Sequence, residues 1–301
     1  MLVLKEPKIA VPVVLFAGLI WSFGPLVVRY MDDPHLIPWQ YIFGRGLTIF
    51  ILLNLYLYFE EGKNFYKNYF KIGISGLVGG SGLGIAMISF MFSITNTSAA
   101  ITLLCLAAMP FFTALLAFLF LREKISLNVW VSIIIATIGI AIMAIGNQGQ
   151  NSLIGFVFGI TSSVGFSVFS VSLRWRKQTP KFTTTAFAGL FCVIFASIMI
   201  LNKDLVFFSS SYNSSLFSLH GTLVCLGLIL YSIGSKAIPA AELTLLSLTE
   251  VIGGIFWVWL PLFGINEVPA TNTIIGGFFL FVSLTYYSLV MRWNKRYIGL
   301  N

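Results

Sequence analysis

Two charged side chains stand inside stretches that are otherwise apolar: Arg45 in 39–59 and Glu250 in 240–263. An ion at the centre of a lipid bilayer costs roughly 2.5–3.5 kcal/mol on insertion scales, so each needs a physical reason to be there. Arg45 lies seven residues beyond Pro38, about 10 Å along a helix rising 1.5 Å per residue. Glu250 lies eleven residues beyond Pro239, about 16 Å in from the opposite face. In a hydrocarbon core about 30 Å thick the two reach similar heights. A guanidinium fork matches a carboxylate, and a carboxylate meets an amine or carries a proton. The pair therefore reads either as a binding site for a small polar molecule or as structure. The structural form is an ion pair, or an Arg45 satisfied by helix carbonyls. Tyr41, Arg45 and Thr48 share one helical stripe, and Ser247, Glu250 and Gly254 another, so each charge lies on a polar face.

Aromatic and hydroxyl groups supply the remaining candidates. Trp21 and Trp257 lie deep in their runs, where an indole stacks on a substrate, faces a cation or fills core. Trp39 stands at a span end, the place of an interfacial anchor. Ser163, Ser167 and Ser170 follow Gly159 at helical spacing. That stripe suits substrate contact, and suits close helix packing better. The glycines from Gly73 to Gly84 read as packing too. The predicted substrate-binding set is Arg45, Glu250, Trp21, Tyr41, Ser163, Ser247 and Trp257. Gly73-Ile74-Ser75-Gly76 has the GxSG form of an intramembrane serine nucleophile, with His220 as its base. The two fall near opposite membrane faces, so no dyad is expected. No phosphate-binding loop and no His, Cys and carboxylate cluster occurs in the sequence. No cofactor, metal or ATP-driven step is expected. Cys105, Cys192 and Cys225 lie in apolar runs without CxxC spacing and read as free thiols.

The elements that position these groups follow from composition. Of 301 residues 58% are hydrophobic and 9% charged, whereas a soluble domain carries roughly 25% charged residues. Lipid must solvate much of the exterior. The net charge of +8 comes from short clusters between apolar runs, not from a basic patch fit for nucleic acid. Ten runs approach the roughly 20 residues that span a bilayer: 9–28, 39–59, 70–92, 99–121, 129–145, 153–173, 183–201, 216–233, 240–263 and 273–293. They are continuously apolar, without the alternation of an outer-membrane barrel. The first run has no cleavage site and is expected to remain as a span. With the N-terminus inside, fifteen of the 18 Lys and Arg face the cytoplasm, two (Arg29 and Lys203) face out, and Arg45 is in a span. This asymmetry predicts a bacterial inner-membrane protein with both termini cytoplasmic.

Shifting the first half by 141 residues sets Gly18 on Gly159, Ser22 on Ser163, Gly24 on Gly165 and Ala99-Ala100 on Ala240-Ala241. Beyond the ninth run the shift becomes 144 and sets Glu123 on Glu267. Each half reads as five helices. Because five is odd the halves must lie in opposite orientations, the arrangement of secondary transporters with a midplane site. Arg45 and Glu250 fall on Ala186 and Met109, so both charges break the symmetry.

Gly18–Pro25, Phe43-Gly44-Arg45, the run from Thr97 through Met109-Pro110 to Arg122-Glu123-Lys124, and the run from Pro239 through Thr249-Glu250 to Asn266-Glu267-Val268-Pro269 carry a family likeness. Over nearly the whole chain the sequence resembles the EamA-type members of the drug/metabolite transporter superfamily. It departs at Pro261–Gly264, which adds about three residues before Glu267. The resemblance implies an all-α membrane protein of ten transmembrane helices. These form two inverted five-helix repeats around a central cavity, 1–148 and 149–301, with the fifth and tenth helices outside. It implies a secondary transporter, exporter or exchanger, of a small polar metabolite such as an amino acid, by alternating access. A proton is the candidate coupling ion, the bilayer the one assembly partner, and monomer and homodimer both remain open. The alternative is a membrane-embedded enzyme or assembly factor acting on a lipid-linked substrate, which would need polar groups clustered at one face. Reporter fusions after Asn301 and within 209–215 should read cytoplasmic and external respectively. An external C-terminus would overturn this topology.

Overall fold

The computed structural model describes residues 6–123, 125–145, 153–176, 179–265, 268 and 271–297. The Gly149 split point, Glu267 and Asn266 lie outside them. Every regular element among them is helical. The first span is two pieces, α1 (Pro7–Trp21) and α2 (Gly24–Arg29). α3 (Pro38–Glu61), the short α4 (Lys67–Phe70) and α5 (Gly73–Asn96) follow. α6 (Ala99–Leu106) and α7 (Met109–Leu116) form the fourth span, which ends in a widened turn over Ala117–Leu121. Then come α8 (Leu127–Ile145), α9 (Leu153–Trp175), α10 (Lys181–Asn202) and α11 (Ser211–Gly234). α12 (Ala240–Ser247), α13 (Thr249–Trp259) and α14 (Thr271–Tyr297) complete the order. Eight stretches among the described residues are long and apolar enough to cross a membrane, and α8 and α14 hold shorter apolar helices over 127–142 and 274–287. The chain is a multi-pass membrane protein. Its outer surface carries exposed Phe16, Phe118, Ile134 and Phe278, as a lipid-facing surface does.

Three spans are broken at mid-depth, two of them at prolines the sequence marks. Pro25 and Pro110 have no N–H to give the preceding turn, and their rings crowd the carbonyl four residues back. The turns tighten instead: Phe23 N–H bonds Ile20 O, and Ala107 N–H is shared between Leu103 O and Leu104 O. The third break, at Leu248, contains no proline and is unmarked in the sequence. Leu248 N–H reaches Leu245 O, and Val251 N–H reaches Leu248 O, both three residues back. This pinch lies 141 residues after Ala107, the offset of the repeat. The ninth run also ends earlier than expected. Pro261 holds Leu260 extended, so the helix stops at Trp259. A short 3₁₀ turn over Pro261–Phe263 follows, closed by Gly264 at φ 70°, a left-handed conformation that glycine adopts without strain.

Packing sets these pieces around a centre. α5 lies between α9 and α10, α11 lies between α1 and α3, and α3 packs on α10. α8 and α14 pack on one another to one side, joined by Ser283 Oγ donating to Ser132 O at 2.7 Å. The small residues of α5 serve contact, as the sequence suggests. A Cβ on Gly165 of α9 would stand 2.5 Å from Gly82 O and 3.0 Å from Ala86 N. Gly165→Ala should therefore force α5 and α9 apart and cost roughly 1–3 kcal/mol, read as a lower melting temperature in detergent. An unchanged melting temperature would contradict the packing.

Candidate functional site

A cavity of about 540 Å³ of empty space, its open mouth included, lies among the broken helices. That is within the roughly 300–1,000 Å³ of small-molecule sites. Trp21, Arg45 and Glu250 line it, as expected from the sequence, together with Met87, Phe90, Met109, Ser162, Phe166 and His220. No lining residue comes from α8 or α14.

Arg45 sits inside α3 and is 3% exposed. Its Nη2 donates to Met87 O at 2.6 Å, and its Nη1 donates to Tyr41 Oη at 3.0 Å. Its guanidinium carbon lies 4.9 Å from the centre of the Tyr41 ring. Met87 O is free because the side chain of Arg45, not a membrane solvent, completes its bonding. Glu250 lies in the first turn of α13, at the break, where the unpaired N–H groups of a helix start favour negative charge. Two contacts hold that break against α1. Thr249 Oγ1 donates to Leu15 O at 3.2 Å, and Gly18 lets α1 approach so closely that a Cβ there would meet Ser247 O at 3.1 Å. No ion pair joins Arg45 to Glu250, and the Glu250 carboxylate makes no hydrogen bond to a described residue. The two charges face one cavity without neutralising each other.

Tyr41 stands behind the wall. It is fully buried, and its Oη meets His220 Nδ1 at 2.5 Å. Hydrogen-bond accounting sets the proton order. Arg45 donates to the tyrosine oxygen, so the single hydroxyl hydrogen is left for His220 Nδ1, and the imidazole hydrogen sits on Nε2. A Cβ on Gly24 would come within 2.7 Å of that Nε2, so the bare Gly24 leaves room for the ring. His220 is thus part of the cavity wall, a role the sequence reading gave it only as a base for Ser75. Ser75 is elsewhere, bonded to Thr179 Oγ1 at 2.5 Å, and the two form no dyad. The signal for His220 was available: it is a lone imidazole within an apolar span.

Three other predicted residues do not line the cavity. One helical step puts Ser162 there in place of Ser163. Ser162 Oγ donates to Ala86 O at 2.8 Å, and buried Ser163 Oγ has no partner. Ser247 turns back on its own helix and donates to Thr244 O at 2.8 Å. Trp257 fills the break of the first span, its Nε1 donating to Ser22 Oγ at 2.8 Å and its ring stacked on Phe23 at 4.7 Å. Trp21 lines the cavity by its ring alone, because its Nε1 already donates to Val224 O at 3.2 Å. Ser167 serves packing, tying α9 to the break of the fourth span through Met109 O at 3.1 Å. Among the described residues no group of three or more His, Cys, Asp or Glu could hold a metal.

Residues 8–145 match the EamA-like transporter family, which bears out the expected likeness over that stretch. Two Helicobacter pylori proteins, from strains J99 and 26695, are each named "Uncharacterized transporter". Each is 26% identical over 167 residues, covering 54% of this chain and 54% of the relative. The matched stretch spans about half the length of these curated relatives. A stretch of 101 residues is 36% identical to the Bacillus subtilis protein named DNA translocase SpoIIIE, covering 32% of this chain and 12% of that one. A solved crystal structure agrees with a TM-score of 0.65 at 17% identity, covering 95% of this chain and 98% of the other. At that identity the likeness is one of fold.

Tyr41→Phe removes the partner of Arg45 Nη1 and of His220 Nδ1 together. Stranding buried donors and acceptors costs about 1–3 kcal/mol, so the variant should melt earlier in detergent. Stability equal to the wild type would mean that the chain from Arg45 through Tyr41 to His220 does not hold.

Proposed function

From the EamA-like match of residues 8–145 we propose that the protein is a secondary transporter of a small polar metabolite that carries both a carboxylate and an amine. One observation carries the reading: a cation and a carboxylate face the same mid-depth cavity with no ion pair between them. A structural pair would have closed the distance, because two unneutralised charges in lipid are costly. Arg45 takes the substrate carboxylate, and Glu250 takes the amine or a proton. The apolar remainder of the wall, from Leu83, Leu106 and Phe166, accommodates a hydrocarbon side chain. The amino acids are the compounds that join these features.

The ten-helix, inverted-repeat arrangement belongs to the same proposal, with halves at 1–148 and 149–301. The breaks at Ala107 and Leu248 support it, since they fall at the repeat offset. The pairing of elements supports it too, since α5 with α9 mirrors α11 with α1, and α10 with α5 mirrors α3 with α11. Alternating access then rocks one half against the other around a fixed site. The cytoplasmic termini and inner-membrane location follow from the charge asymmetry of the loops.

Flux in proteoliposomes tests the site. Arg45→Lys loses the fork and should lower substrate affinity about 10- to 100-fold, the worth of a charged hydrogen bond, with normal protein yield. Glu250→Gln should stop gradient-driven uptake. If exchange of substrate for substrate survives, Glu250 carries the proton, and if exchange fails, it binds the amine. If the double variant Arg45→Met with Glu250→Met transports like the wild type, both residues leave the site and the reading fails.

A further inference from the structure

Two arginines outside the cavity grip equivalent pieces of backbone. Arg174, in the last turn of α9, donates from Nη1 to Ser235 O at 3.0 Å and to Ile238 O at 2.7 Å. Arg29, the last residue of α2, donates from Nη1 to Ile94 O at 3.2 Å and from Nη2 to Thr97 O at 3.4 Å. Ser235 and Ile238 are 141 residues beyond Ile94 and Thr97, the offset that aligns the two halves. In both places the carbonyls end one helix, α11 or α5, just before the turn into a broken span, α12 or α6.

The likeness extends to a third partner. Arg174 Nε donates to Glu123 Oε1 at 2.7 Å, and Glu123 Oε2 accepts from Ala240 N–H at 3.3 Å. Glu123 follows α7, so the end of the fourth span is tied in. On the other side Tyr30, next to Arg29, donates from Oη to Phe263 O at 2.6 Å, which ties in the end of the ninth. Each cluster thus fastens the end of one span to a turn and to the end of the other half's broken span. Each also stands eight residues beyond a ring that lines the cavity, Phe166 for Arg174 and Trp21 for Arg29, about 12 Å along a helix. Lys181 Nζ, donating to Ser235 Oγ at 2.6 Å, adds a further tie to the first cluster.

We propose that Arg174 and Arg29 are the inner and outer latches of the transport cycle, each closing one end of the cavity by gripping the helix-end carbonyls beside it. The inference rests on the transporter reading and adds how access to its site is regulated. The chemistry suits a reversible closure. The last carbonyls of a helix have no partner within it, so water replaces the arginine when a latch opens. The inner ion pair is partly exposed, 25% at Arg174 and 21% at Glu123, and such pairs are individually weak. Substrate recognition breaks the two-fold symmetry through Arg45 and Glu250, whereas the latches keep it, as two ends that must open in turn require. Both latches are closed in this structure, with the cavity between them.

Thiol labelling reads the latches without any substrate. Cys105, Cys192 and Cys225 are replaced by alanine, and Ser162→Cys is the reporter in the cavity wall. A membrane-impermeant maleimide is applied from each side in oriented vesicles. Arg174→Gln should raise labelling from the cytoplasmic side about tenfold and lower it from the outside, as a shifted two-state equilibrium requires. Arg29→Gln should do the reverse, and the corresponding Arg→Lys variants, which keep the charge and fold, should give smaller shifts of the same signs. Shifts of the same sign in both variants, or none in either, would overturn the latches. Flux in the wild type decides the transporter reading separately. Reciprocal labelling without flux of amino acids defeats the substrate assignment alone, and normal flux with unshifted labelling defeats the latches alone.

Discussion

Hydrocarbon offers no partner to an N–H or a C=O, so each backbone group within the bilayer must find one inside the protein. An unbroken helix meets that demand by itself. This chain breaks three spans at mid-depth, and the breaks hold only because side chains and neighbouring helices supply what is missing. Ser167 reaches Met109 O at the break of the fourth span, Thr249 reaches Leu15 O at that of the ninth, and Ser22 caps Leu19 O in the first. Close approach makes these bonds possible, and the bare backbones of Gly18 and Gly165 permit that approach. The cavity is the space such interrupted helices leave.

The same demand explains why Arg45 survives so far from water. Its charge is spread over the Met87 carbonyl, the Tyr41 hydroxyl and the faces of Tyr41 and Phe90, none of which is an anion. Full neutralisation by a carboxylate would have left nothing for a ligand. Partial satisfaction keeps the arginine soluble in the protein interior and still able to bind. Glu250 is treated differently. A helix start supplies its compensation through dipoles instead of through a side chain, and its carboxylate remains free.

Symmetry and asymmetry divide along the same line. Helix pairing, the breaks at Ala107 and Leu248, and the arginine grips at Ile94/Thr97 and Ser235/Ile238 follow the repeat offset. The charged groups of the cavity do not follow it. A scaffold that must expose its centre to two sides has use for two equivalent ends, whereas a small asymmetric molecule needs an asymmetric seat.

Much of this is legible in the sequence because lipid imposes strong local rules. Length and apolarity mark the spans, Pro25 and Pro110 mark two of the breaks, and the cost of buried charge singles out Arg45 and Glu250. The sequence is weaker on facing. In a span that is apolar all round, nothing in the residue types separates a side turned to lipid from one turned to a cavity. Ser163 and Trp257 were therefore chosen where Ser162 and His220 line the wall. The break at Leu248 was also hidden, since no residue there forbids a helix and only packing against Gly18 and Leu15 stabilises the pinch. Sequence alone determined which groups must be compensated in the membrane. Tertiary structure alone decided what compensates them, because partners such as Met87 O, Tyr41 and the turn at Ser235 are brought within bonding distance only when distant helices pack.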